Sequence, residues 1–197
     1  MMKKLLGLLT ILAVLGSTST IFASYVAQNH LHLYLGLKGL YQYDWEPTAD
    51  HLEYAVNGDF NINNLPFNIS FSYSYSEDYG FDEGVAVALA TSEFRVGARK
   101  YLLTKNVEFL TKNDEFSWFF GGGLSHINAK ASISILTLED SSIGCYVELG
   151  SQYKFNNKFH MGTKIAFSFA EIKLDGDEYE VGGSHIGLFI NIPFKLK

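Results

Sequence analysis

Residues 67–76, Phe-Asn-Ile-Ser-Phe-Ser-Tyr-Ser-Tyr-Ser, alternate without a fault. Phe67, Ile69, Phe71, Tyr73 and Tyr75 share one face, and Asn68, Ser70, Ser72, Ser74 and Ser76 share the other. Period-two alternation predicts a β-strand with two chemically different faces. At about 3.3 Å per residue the stretch reaches roughly 33 Å, and a strand tilted by about 45° crosses a bilayer in about 9–11 residues. It is long enough to span a membrane with its aromatic face toward lipid and its small polar face toward a packed lumen. Taken alone, it equally fits the edge of a soluble β-sandwich.

Further segments repeat the pattern. A first strand at about 30–45 sets Leu31, Leu33, Leu35, Leu37, Tyr41, Tyr43 and Trp45 against His32, Tyr34, Lys38, Gln42 and Asp44; a second at about 51–62 sets Leu52, Tyr54, Val56, Phe60 and Ile62 against Glu53, Asn57, Asp59 and Asn61. The apolar parity changes between Ile62 and Phe67, as a four-residue turn joining them requires. The fourth strand is out of phase with itself. Val85, Val87 and Leu89 are odd while Phe94, Val96 and Ala98 are even, so a bulge or loop near 91–93 is predicted, with a membrane part at about 92–102. A fifth strand follows at about 116–127, a sixth at about 142–155, a seventh at about 159–170 and an eighth at about 183–196.

Eight strands with one uniformly apolar face either bury that face in a soluble barrel or turn it into lipid, and the opposite face decides between these. It carries Lys38, Glu53, Arg95, Arg99, Glu148 and Lys164, a mixed-sign set that suits the interior of a narrow membrane barrel as a compensated charge network. On the apolar face, aromatics gather toward both strand ends, as in the two girdles of a membrane-spanning sheet. The predicted fold class is therefore all-β, an eight-stranded antiparallel up-and-down transmembrane β-barrel. The turns at 63–66 and 156–158 are short and would face the periplasm, the longer polar connections would face outward, and the 103–115 connection is long on the short-turn side.

Targeting signals agree. Lys3 and Lys4, the apolar run 5–15, the segment 16–20 and then Ile21-Phe22-Ala23 follow the order of a secretory signal, with cleavage expected after Ala23. Residues 1–23 are thus read as a signal peptide and 24–197 as one barrel domain. The expected location is the cell outer membrane, after cleavage. Without Lys3 and Lys4 the chain keeps 13 basic residues against 21 acidic ones, which disfavours nucleic acid as a partner. The single Cys145 has no partner for a disulfide within the chain.

Three segments carry a family resemblance: 95–101 (Arg-Val-Gly-Ala-Arg-Lys-Tyr), 118–125 (Trp-Phe-Phe-Gly-Gly-Gly-Leu-Ser) and 148–155 (Glu-Leu-Gly-Ser-Gln-Tyr-Lys-Phe). In their order and spacing the chain resembles the outer-membrane β-barrels that include OmpA-like and OmpX-like proteins, over about residues 24–197. The resemblance implies a monomeric barrel in outer-membrane lipid. No peptidoglycan-binding domain follows, which argues against an OmpA-like tether.

The sequence offers little chemistry beyond this. His30 and His32 share a face at one end of the first strand and His160 opens the seventh, but these are not neighbouring strands and no carboxylate completes a tetrahedral set; the reading is structural, with no metal and no cofactor expected. No nucleophile motif such as Gly-x-Ser-x-Gly appears, so no enzyme is expected. Residues 175–180 (Asp-Gly-Asp-Glu-Tyr-Glu) lack the ligand spacing of a calcium loop. Asp175, Asp177 and Glu178 read as a solvated acidic external loop, able to draw divalent cations or a basic surface partner. The expected function is a non-enzymatic structural or surface-interaction role with a side-chain-filled lumen. Two alternatives remain at this stage: passage of small solutes or hydrophobic compounds, and a soluble periplasmic lipid-binding barrel with its apolar face inward.

Overall fold

The computed structural model describes residues 23–25, 28–41, 48, 50–62, 65–82, 84–103, 116–134, 136–174 and 176–195. Outside these lie residues 1–22 of the expected signal peptide, Tyr43 and Trp45 of the first predicted strand, the 104–115 connection, Asp175 and Leu196. The described residues form eleven strands: β1 (Ala23–Tyr25), β2 (Asn29–Leu40), β3 (Asp50–Asn61), β4 (Asn68–Asp82), β5 (Val85–Leu103), β6 (Phe116–Ile133), β7 (Leu136–Lys154), β8 (His160–Phe169), β9 (Glu171–Leu174), β10 (Asp177–Glu180) and β11 (Gly183–Phe194). Eight of them, β2 to β8 and β11, pair antiparallel in a closed ring, because β5 and β6 also pair with each other. The short β1 adds to the end of β5, and β9 and β10 make a separate hairpin.

The register fixes the dimensions of the ring. Starting at Ser141 and following directly paired residues through Asn128, Ser92, Tyr75, Tyr54, Leu35, Leu188 and Thr163, the path returns to β7 at Ser151. It returns ten residues from where it began. With eight strands, that shear corresponds to a tilt of about 40° and an interior only wide enough for side chains. Closure also pairs the strands all the way round, so no sheet edge meets lipid.

The apolar face points outward. Leu33, Leu35, Leu37, Tyr54, Val56, Tyr73, Leu149, Ile186 and Leu188 are exposed, whereas Tyr34, Lys38, Glu53, Arg95, Arg99, Phe119, Tyr146, Glu148, Lys164 and Phe189 are buried inside. This arrangement excludes the soluble lipid-binding barrel, whose apolar face would line the interior. At the end where β2 begins, here the proximal rim, exterior rings form contacts between Phe116 and Trp118, Tyr153 and Phe155, Phe155 and Phe159, and Phe60 and Phe194. At the opposite, distal rim Tyr41 stacks on Phe169 at 5.9 Å.

Neither a bulge nor a loop interrupts β5 at 91–93. Its pairing runs unbroken from Asp82↔Val85 to Asn68↔Arg99 on one side and from Val87↔Ile133 to Leu103↔Ser117 on the other. The phase change has another cause. Leu89 points inward, where it joins Ile127, Ala129, Ala170, Ile172, Leu174 and Val181 in an apolar cluster. The last four come from the β9–β10 segment, which folds over the distal mouth. Distal interior positions of β5 and β6 are therefore apolar for contact with protein, and the polar interior begins at Thr91 and Glu93.

Asp177 and Glu178 of the expected acidic external loop lie on the β9–β10 hairpin. Leu174 pairs with Asp177 across a two-residue turn, and Gly176 takes φ 94°, the left-handed conformation that Asp-Gly favours in such turns. Val181 N–H donates to Ala170 O at 3.0 Å at its base. Lys173 N–H donates to Asp140 Oδ2 of β7 at 2.8 Å; the N–H groups of Lys173 and Ser141 hold this carboxyl below the usual carboxylate range, so the tether persists as pH falls until that lowered pKa is reached.

Beyond the ring, β4 to β7 continue as a four-stranded wall. Pairing of β3 with β4 ends at Leu52↔Glu77, and of β7 with β8 at Cys145↔Phe169, yet β4–β5 pairing continues to the tip and β6–β7 pairing reaches Ile133↔Leu136.

Two outcomes are expected. Protein extracted from membranes should migrate differently on SDS gels before and after boiling, because closed inter-strand hydrogen bonding resists detergent; equal mobility together with water solubility would refute the membrane barrel. Ile172→Asp should undock the hairpin, since losing a buried aliphatic side chain alone costs about 2–5 kcal/mol. Tryptic cleavage after Lys173 should then accelerate by about tenfold or more, with the gel shift unchanged.

Candidate functional site: the charged lumen

Interior side chains come from alternate positions of every ring strand, and in so narrow a bore they meet across it as well as along the sheet. Glycines make room for the largest. A Cβ on Gly150 would run into the Phe119 ring, and one on Gly36 into the Tyr34 hydroxyl. These seats let Tyr34, Ala55, Tyr101, Phe119 and Phe189 pack as a second apolar cluster within the lumen.

Around them, among the described residues, lie eight buried charged side chains. Arg99 is the central cation: Nη1 donates to Asp59 Oδ2 at 2.8 Å, Nε donates to Glu148 Oε1 at 2.7 Å, and Nη2 stands 2.5 Å from the same oxygen. Tyr101 Oη also donates to Asp59 Oδ2, and His32 Nε2 lies 3.1 Å from it. Glu148 faces Ala166 across β7–β8, and Lys164, diagonal to it, reaches Glu148 Oε2 at 3.9 Å while its ammonium sits 4.4 Å from the centre of the Tyr34 ring. Arg99 likewise covers Phe119. Both contacts add cation–π attraction to the ion pairs.

A second group forms toward the distal side. Arg95 grips Glu93 through two donors, Nε to Oε1 at 2.8 Å and Nη2 to Oε2 at 2.7 Å, the bidentate geometry that suits a guanidinium. Its Nη2 also donates to His185 Nε2 at 2.9 Å, and His185 Nδ1 lies 2.9 Å from Glu53 Oε2. Because Nε2 accepts, the proton sits on Nδ1 and is donated to Glu53. A neutral imidazole thus relays the arginine to the carboxylate. Farther out, Lys38 Nζ donates to Thr91 Oγ1 at 2.9 Å, Thr91 meets Ser76 at 2.7 Å, and Ser76 meets His51 at 3.2 Å.

Lys38, Arg95, Arg99 and Lys164 balance Glu53, Asp59, Glu93 and Glu148 among the described buried residues. Four cations against four carboxylates leaves the lumen neutral when its histidines are neutral. A low-dielectric interior penalises any uncompensated charge, and here each is within reach of an opposite charge or a hydrogen-bonding partner.

The six lumen charges expected from sequence all lie in this interior, in two groups: Arg99, Glu148 and Lys164 in one, and Arg95 and Glu53 in the other, with Lys38 beyond them. Asp59, Glu93 and His185 escaped the prediction although they complete it. Asp59 and His185 sit in the polar phase of their strands, where parity marks them as inward; Glu93 was hidden by the supposed bulge. Of the acidic external residues, Asp177 and Glu178 are exposed on β10, and Glu178 pairs with Lys173 at 3.1 Å. No three His, Cys, Asp or Glu side chains among the described residues are grouped to hold a metal ion.

No protein-family model and no curated protein matches the sequence. Solved structures do. Neisserial surface protein A (NspA) aligns over 87% of this chain and 100% of its own, with a TM-score of 0.60 at 13% identity. Ail, the attachment invasion locus protein of Yersinia pestis, aligns over 86% and 100% with a TM-score of 0.55 at 14% identity. The outer membrane protein OprG of Pseudomonas aeruginosa aligns over 86% and 97% with a TM-score of 0.59 at 9% identity. At these identities the likeness is one of fold, and the closed ring with its lipid-facing belt gives that fold its physical setting. The chain has the fold of an eight-stranded outer-membrane β-barrel. In this barrel the lumen is a load of side chains held together by ion pairs, and the exterior of the ring is an apolar belt from which the β4–β7 wall extends.

Arg99→Ala should leave Asp59 and Glu148 buried without their shared cation. Breaking a buried pair in this way costs about 3–5 kcal/mol, so the urea midpoint for unfolding from vesicles should fall markedly. A midpoint within error of the parent would show that the pairs are not needed to compensate the charge.

Proposed function

We propose that this outer-membrane barrel is a non-enzymatic surface-interaction protein in which the filled ring anchors the β4–β7 wall outside the membrane. The wall carries the reading. It extends pairing well beyond the ring, and Tyr79 and Phe81 near its tip are 70% and 75% exposed, more than an anchor alone requires. On this reading residues 1–23 are a cleaved signal and 24–197 the barrel domain, with the short-turn rim in the periplasm and the wall outside.

Charge selects the kind of partner. Glu77, Glu139, Glu171, Asp177 and Glu178 stand on the wall and hairpin against Lys130 and Lys173, so the surface favours a basic macromolecule, and with Asp175 the hairpin also draws divalent cations. Ail, one of the structural neighbours, has been solved with the heparin analogue sucrose octasulfate. A polyanion of that kind suits the present surface poorly.

Passage of small solutes is the second reading. It is favoured by Asn57 Oδ1, Ser70 Oγ, Ser72 Oγ and Ser125 Oγ, buried polar atoms without a hydrogen-bond partner; Asn57 faces Ser72 across β3–β4, and such groups commonly hold water.

Reconstitution separates the two. Planar-bilayer recordings of the purified monomer should show no stable conductance, and polylysine should bind the reconstituted protein in a salt-sensitive manner that weakens when Glu77, Asp177 and Glu178 are neutralised. A steady large conductance without polylysine binding would overturn the surface reading in favour of passage.

A further inference from the structure

Gln152, Asn191 and His30 form a hydrogen-bonded chain across the proximal lumen. Asn191 Nδ2 donates to Gln152 Oε1 at 2.6 Å, which leaves Asn191 Oδ1 facing His30 Nδ1 at 3.1 Å. An amide oxygen only accepts, so His30 Nδ1 carries the proton and the neutral ring presents a bare lone pair at Nε2. That nitrogen is buried and has no hydrogen-bond partner. His160 Nδ1 is buried and unpartnered as well, and the two ring centroids stand 6.2 Å apart. Both residues are more than nine-tenths buried.

We propose that His30 Nε2 and His160 Nδ1 bind a transition-metal dication of the zinc, nickel or copper class at the proximal mouth of the lumen, with water completing its coordination. Three physical points favour this ligand. Imidazole nitrogen is a preferred donor for these ions. A ligating histidine characteristically gives its other N–H to a carbonyl or carboxylate, which is what His30 gives Asn191. With metal–nitrogen distances of about 2.0–2.1 Å, two imidazoles sharing one ion set their centroids about 5–6.5 Å apart, a range that includes the observed spacing.

The neighbouring groups set the limits of the site. His32 is committed elsewhere, because its Nε2 lies within hydrogen-bond distance of Asp59 and Tyr101. With no third His, Cys, Asp or Glu ligand grouped there among the described residues, the site is an open two-imidazole one, not a closed tetrahedron, and binds more weakly than structural zinc. The Arg99 charge nearby is compensated by Asp59 and Glu148. Lys154 faces His160 across β7–β8 and is the nearest cation in the register. His160 opens β8 at the proximal rim, so the site lies on the rim side of the charged network. Sequence order concealed the pairing: β11 separates β2 from β8, but residues from second-neighbour strands meet inside a narrow bore.

The site is independent of the surface-interaction role, and its test does not depend on it. Folded, tag-free protein in detergent should take up one Zn²⁺ or Cu²⁺ per barrel by calorimetry, and Cu²⁺ should show nitrogen hyperfine coupling in electron paramagnetic resonance. His30→Ala and His160→Ala should each weaken binding by about tenfold or more, while His126→Ala, on the outer face of β6, should leave it unchanged. The unheated gel shift verifies that each variant is folded, and the nitrogen coupling of the parent tests the proposal even if neither variant folds. Absence of binding by folded parent at about 1 mM ion, absence of nitrogen coupling, or binding indifferent to both histidines would overturn the site. Loss on Asp177→Asn with Glu178→Gln instead would assign the ion to the external hairpin and overturn it equally.

Discussion

Closure of eight strands at a shear of ten is the constraint on which the remaining structure depends. A ring of that size has a bore that side chains fill, and a ring in lipid satisfies its backbone only when closed. Both facts bear on the interior: it must be full, and because every strand alternates, half of the spanning residues supply it. Polar residues filling so small a volume cannot be solvated as they are at a surface, so charge must be matched inside. Arg99 between Asp59 and Glu148, and Arg95 between Glu93 and the His185–Glu53 relay, are the form that matching takes.

Histidine has a particular place in this interior. Five of the six histidines, His30, His32, His51, His160 and His185, are buried in or at the mouths of the lumen. A neutral imidazole donates from one nitrogen and accepts at the other, so it connects an arginine to a carboxylate without adding charge. His185 is satisfied on both sides. His30 and His160 are each left with one nitrogen unpartnered, and that difference separates a structural histidine from a candidate ligand.

The distal half follows a different rule. There the wall and the β9–β10 hairpin meet through Leu89, Ile127, Ile172, Leu174 and Val181, a small soluble-type core set above the membrane ring. The same strands β5 and β6 therefore carry apolar side chains outward at membrane level and inward beyond it. Tyr79 and Phe81 remain exposed where the wall is farthest from the belt.

Much of this was legible in the chain. The alternation of residues 67–76 and its repeats specified strands, and parity across 62–67 specified register, because a side-chain period of two admits no one-residue slip. Parity also marked Lys38, Glu53, Arg95, Arg99, Glu148 and Lys164 as facing away from lipid. What parity cannot specify is which face an apolar residue serves once the strand leaves the membrane, so Leu89 was mistaken for a sign of a bulge when its partner was a hairpin more than eighty residues later. Nor can it specify contacts across the bore. That Arg99 joins Asp59 to Glu148, that His185 relays Arg95 to Glu53 and that His30 approaches His160 past an intervening strand were decided by closure alone, since curvature brings side chains together that the order of strands keeps apart.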